Sequence, residues 1–153
     1  MIIKWILAST ALSGFVFAAD LPTNRIDEIT GLKGKWNEQE KVYKVSSPRA
    51  DIKVSVDNWQ MPPFMGLTSW AAFTTGKEKE SMVMGDLVLM QDEVNPVMSA
   101  ALENGLAVTA LHNHFFYDDP KVYFMHIGGE GSPETHEIDL WIVVEEMIVQ
   151  RGD

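Results

Sequence analysis

Three of the four histidines in this chain, His112, His114 and His126, lie within one short segment, and imidazole is the side chain best suited to metal ligation and proton transfer near neutral pH. Three neutral imidazoles that leave a fourth position open match a catalytic zinc site, with nitrogen about 2.0–2.1 Å from the ion. Copper, nickel or iron would accept the same ligands. Asp86, Asp92, Glu93, Asp118 and Asp119 could add a fourth ligand or a general base, although Asp118 and Asp119 also suit a turn. The competing reading is that the histidines are half-buried polar residues, hydrogen-bonded to one another, to backbone or to carboxylates. Met82, Met84, Met90 and Met125 fall on expected strands, and thioethers would suit copper. Strand alternation turns Met125 away from His126, which points to core packing instead.

Convergence of the three rings requires a hairpin. Strands are expected at about 107–117 and 121–127, and alternation sends His112 and His114 to one face. A three-residue loop, Asp118-Asp119-Pro120, closed by Tyr117 opposite Lys121, places His112 directly across from His126. Opposed Cβ atoms are then about 4.5–5.5 Å apart. A two-residue loop would shift the pairing by one and send His126 to the other face.

Around this hairpin the pattern predicts a short helix over 24–32, capped by Asn24 and broken by Gly31 and Gly34. Strands at 42–46 and 52–56 make a first hairpin, with Ile52, Val54 and Val56 on one face. Strands at 67–73 and 82–90 make a second, around an exposed turn at 76–80. Asn95-Pro96 opens a helix that Gly105 stops. Ser132-Pro133 opens a final one. The expected fold class is α+β: an antiparallel sheet built from hairpins, with two or three helices packed mainly on one face. The stretch from Asn58 to Gly66 contains two prolines, so it reads as an apolar loop. That loop either folds under the sheet or, with Trp59, Phe64 and the strand residue Trp70, lines a ligand pocket.

Residues 1–19 combine one lysine, an apolar stretch and small residues at a cleavage point, and so read as a secretory signal peptide. The expected location is periplasmic or secreted, with no stable transmembrane anchor after cleavage. Residues 20–131 form one domain, and residues 132–153 a divergent segment. There is no cysteine, so disulfides and a lipidated cysteine are both excluded. The net charge of −10 argues against nucleic acid, because phosphate affinity comes from lysine and arginine. From Glu130 onward seven carboxylates face Arg151 alone. No Gly-x-Ser-x-Gly elbow, Walker loop or Rossmann glycine pattern occurs.

Six segments, Val42–Val45, Pro48–Val54, Met65–Phe73, Gly85–Leu89, Glu93–Met98 and Leu111–His114, resemble the LppY/LpqO family of exported bacterial proteins. The resemblance covers about residues 24–131 and implies export and a shared fold, but no activity. Members typically carry a lipidation cysteine and a second, similar half, so this chain is expected to hold the first half only. Its tail is then either a native element or the remnant of a truncated or frameshifted frame. Over residues 112–126 alone, the histidine spacing also resembles zinc-bearing domains such as acetolactate decarboxylases, as a chemical analogy. Two functions follow as expectations. One is an exported domain binding zinc or another divalent transition metal through His112, His114 and His126. The other is a non-catalytic module binding a small molecule or cell-envelope component in an aromatic and histidine-lined pocket.

Overall fold

Burial alternates along Thr68–Thr75 and over the first part of Ser81–Met90, as the pleat of a strand requires, and the two strands pair antiparallel from Trp70↔Asp86 to Thr75↔Ser81. The computed structural model describes residues 21–76 and 81–131. The expected signal peptide, most of the 76–80 turn, the final helix and the divergent tail lie outside the described residues.

In chain order the elements are α1 (Thr23–Thr30), β1 (Lys35–Asn37), β2 (Val42–Pro48), β3 (Ser55–Val56), β4 (Trp59–Gln60), a 3-10 turn (Pro63–Met65), β5 (Thr68–Thr75), β6 (Ser81–Met90), α2 (Val94–Glu103), β7 (Ala107–His112), β8 (Asp118–Asp119) and β9 (Val122–Gly131). Six strands form an antiparallel sheet in the order β1-β2-β5-β6-β9-β7, and β4-β3-β8 form a small second sheet.

The α+β expectation is corrected. Among the described residues 47% are strand and 20% helix, and two short α-helices accompany nine strands, so the fold is β-rich. The helices supply the buried Ile26, Val97, Ala100 and Ala101, with Val94 and Met98 packed alongside, to a core otherwise built mainly by strand residues such as Tyr43, Val45, Phe73, Val83, Leu87, Leu89, Met125 and Ile127. The physical reason is length: eight- and ten-residue helices carry little apolar face, whereas two ten-residue strands at the sheet centre carry much more.

A second core, on the other side of β6 and β9, gathers Val54, Met61, Leu67, Val88, Val122 and Phe124, with Ile52, Val56, Met90 and Phe115 packed against it. The expected hairpin between 42–46 and 52–56 does not form. β2 pairs instead with β1 and β5, while only Ser55–Val56 of the second segment is strand, and it pairs with β4 and β8. Ile52, Val54 and Val56 nevertheless share the second core. Helix starts also differ. Pro22 precedes α1 and Glu93 precedes α2, while Gly31 (φ 63°) and Gly105 (φ 81°) end them in the left-handed conformation as expected.

α1 is tied to the sheet by Asp27, whose Oδ2 accepts from Lys33 Nζ at 2.6 Å and whose Oδ1 accepts from Gly34 N at 3.0 Å and from the Tyr43 hydroxyl. The Lys33 bond, then those from Tyr43 and Gly34, lower the Asp27 pKa from 3.8 to about 2. A carboxyl whose folded pKa is depressed contributes stability above its unfolded pKa, and that contribution is lost as pH falls through the folded value. Asp27→Asn is therefore expected to be less stable than wild type at pH 7. The gap should close between about pH 4 and 2. Urea melts at pH 7, 4 and 2.5 check this, and a gap independent of pH would disprove it.

Candidate functional site

The helix-free face of the large sheet carries the histidines. Residues directly opposite in an antiparallel ladder share a face, so the register Ser46↔Trp70, Trp70↔Asp86, Asp86↔His126 and His126↔Ala110 sets one row across five strands. The adjacent row carries Val88, Phe124 and His112, from Val88↔Phe124 and His112↔Phe124. Val88 and Phe124 are buried in the second core, so the site begins where that core ends.

The structure brings the three predicted histidines together. Ring centroids are 4.9 Å apart for His112 and His114, and 5.0 Å for His112 and His126. The route differs from the expected one. His112 lies opposite Phe124 and not His126, because the connection from β7 to β9 is longer than three residues; the irregularity between Val108 and Ala110 changes the pairing only farther from that connection. The displacement is two residues, which preserves the face and leaves His126 diagonal to His112. β7 stops at His112. Asn113 then donates from Nδ2 to the Val122 carbonyl at 2.7 Å, which turns the chain back over β9.

His114 consequently lies flat on Phe124, with centroids 3.4 Å apart and planes at 8°. Its Nε2 is 3.1 Å from Nε2 of His112, so one of the two rings donates to the other. The same separation is close to the roughly 3.3 Å between two nitrogens that ligate one tetrahedral ion at about 2.05 Å. Burial first, then the neighbouring His112 and His126, lowers the His114 pKa, while Asp86 opposes that shift. The ring is thereby held neutral, the form that ligates a metal. Among the described residues, no group of three or more His, Asp or Glu side chains is arranged, as it stands, so that it could hold a metal ion.

Of the five candidate acids, Asp86 alone reaches the cluster. Its Oδ1 stands 3.8 Å from His126 Nε2, beyond hydrogen-bond reach, and that buried oxygen has no hydrogen-bond partner. Glu93 pairs with buried Arg49. Asp118 accepts from Lys121 Nζ and from Val122 N, the latter at 2.9 Å, and lies in β8, paired with β3, instead of in the expected tight turn. Met125 is fully buried in the helix-side core.

The aromatic residues divide. Trp70 sits beside Asp86 in the row, with Lys44 Nζ 3.8 Å from its ring centroid. Trp59 is 53% exposed and Phe64 92% exposed, and among the described residues neither meets another aromatic ring. Of the apolar loop only Met61 is buried. Sequence reasoning missed Phe124 and Asn113 as positioning residues. Phe124 carried a signal, since it shares a strand face with His126 two residues away.

Among the described residues no helix is long and apolar enough to cross a membrane. Comparison with the curated proteins and with the solved structures gives no match. Residues 24–136 match a family model, a span that begins at α1 and takes in both cores and the whole histidine cluster, so the chain belongs to the family described as Domain of Unknown Function (DUF1259).

Proposed function

We propose that this chain is an exported domain, periplasmic or secreted and akin to the LppY/LpqO proteins, that binds a divalent transition metal, zinc foremost, through His112, His114 and His126. The observation that carries this reading is the approach of the rings: two Nε2 atoms stand 3.1 Å apart, and the third imidazole packs 5.0 Å from the first. Rotation about the side-chain torsions, at a largely exposed site, is enough to aim the third nitrogen at a shared ion. Metal analysis of protein purified without a His tag should give about one ion per chain after Zn²⁺ loading, and His112→Ala should abolish it. Substoichiometric metal after addition of Zn²⁺, Cu²⁺ or Ni²⁺ would end this reading.

A second reading is supported by the exposure of Trp59, Phe64, Phe116 and Tyr117, which leaves large apolar rings in water at the loop end. On that reading the chain is a non-catalytic module for a small molecule or envelope component. His112→Ala and His126→Ala would then alter ligand binding in a protein whose metal content they leave unchanged.

A further inference from the structure

We infer that Asp86 is the carboxylate ligand of the metal site, which makes the donor set three imidazole nitrogens and one carboxylate oxygen, suited to the Zn²⁺, Co²⁺, Mn²⁺ and Fe²⁺ class of ions. The inference rests on the three-histidine reading and adds the fourth ligand. Asp86 lies directly opposite His126 in the β6–β9 ladder and therefore projects from the same face. Its side chain is only 14% exposed, and Oδ1 is sealed from solvent with no donor. Such an atom is expensive to leave unmade, because a buried acceptor without a donor forfeits its hydration and gains nothing in return.

The neighbours do not supply a fixed positive charge. Across β5, Trp70 occupies the position opposite Asp86, and the Lys44 ammonium is held over that ring. On the other side stands His126, whose Nε2 is 3.8 Å from Oδ1, beyond hydrogen-bond reach. A divalent cation drawn between the imidazoles and Oδ1 would satisfy the carboxylate and the three nitrogens together. Met125, the nearest methionine in sequence to His126, is buried on the opposite face, and the proposed donor set is nitrogen and oxygen. Nitrogen and oxygen donors without a thioether favour borderline and hard divalent ions over cuprous copper.

The test uses the full, tag-free chain at pH 8. Zn²⁺ binding is read by calorimetry, and Co²⁺ coordination by visible absorption. Asp86→Asn should weaken Zn²⁺ by about 10–100-fold or more and change the Co²⁺ spectrum. Without metal it should melt no lower than wild type, because the orphaned charge has been removed, whereas a merely structural role for Asp86 would lower that melting point. Asp86→Glu keeps a carboxylate one methylene longer and should retain affinity with an altered Co²⁺ spectrum. Wild-type affinity and an unchanged spectrum in Asp86→Asn would overturn the inference and leave the three-histidine site standing. If Asp86→Asn fails to fold, an unchanged spectrum in Asp86→Glu overturns it. Absence of any metal binding by wild type overturns both readings.

Discussion

Replacing Arg49 with alanine is expected to destabilise the fold by about 3–5 kcal/mol, the cost typical of breaking a buried ion pair from one side. Arg49 is 1% exposed, and every guanidinium N–H has an acceptor. Nε donates to Asp51 at 3.0 Å, Nη1 to the Val88 carbonyl at 2.7 Å and Glu93 at 2.8 Å, and Nη2 to Asp51 at 2.8 Å and Glu93 at 2.9 Å. Glu93 is itself 6% exposed and also accepts from Met90 N at 2.7 Å. One side chain thus joins the end of β2, the last part of β6 and the entry to α2. Removing it strands the Glu93 charge in a place that water does not reach. A domain of this size has a total stability of about 5–15 kcal/mol, so the loss is about a fifth of it or more. Urea unfolding monitored by tryptophan fluorescence would measure it. The double variant Arg49→Met with Glu93→Gln should recover part of the loss, because the uncompensated charge is gone and Gln keeps an acceptor for Met90 N. A single variant within about 1 kcal/mol of wild type would show that the pair contributes no more than an exposed one.

This network also marks what could be read from the sequence. β5 and β6 were readable as strands flanking the charged turn at 76–80, and alternation placed Ile52, Val54 and Val56 on one face correctly, since all three reach the second core. Alternation fixes a face and leaves the partner open. The segment around Val56 finds its partners in Trp59–Gln60 and Asp118–Asp119, the latter far along the chain, and no local pattern encodes that choice. The same limit applied to Asp86, whose opposition to His126 depends on a β6–β9 pairing that spans α2 and β7. The histidine hairpin was readable in parity only. Asp118–Asp119 behaves as a strand of the small sheet instead of a tight loop, which lengthens the connection and moves the register by two. A shift of two keeps every side chain on its face, and so the three rings still meet. The fold class failed for a different reason. Helix signals at Gly31 and Gly105 were real, but short helices add little to cores that long central strands dominate.

Phe124 is where stability and site are joined, and its replacement is the second large effect expected. The ring is 1% exposed, lies edge-on to Phe115 with centroids 6.2 Å apart, and carries His114 stacked on its outer side. Phe124→Ala is expected to cost about 3–5 kcal/mol, the range for emptying an aromatic site in a core that can only partly collapse. That loss alone would not separate packing from positioning. Phe124→Leu does, because a branched apolar side chain fills much of the volume and keeps the second core closed, yet offers His114 no flat surface. The Leu variant should therefore fold and lose only about 1–1.5 kcal/mol. Its Zn²⁺ affinity should nevertheless fall by about 10–100-fold, the effect typical of losing a group that orients a ligand. The order of the two effects is decisive: the stability loss must be large in Phe124→Ala and small in Phe124→Leu, while metal affinity falls in both. Calorimetric Zn²⁺ titration of Phe124→Leu, with its urea midpoint measured on the same preparation, separates them. Unimpaired Zn²⁺ binding in a folded Leu variant would mean that the stack on Phe124 packs His114 without aiming it.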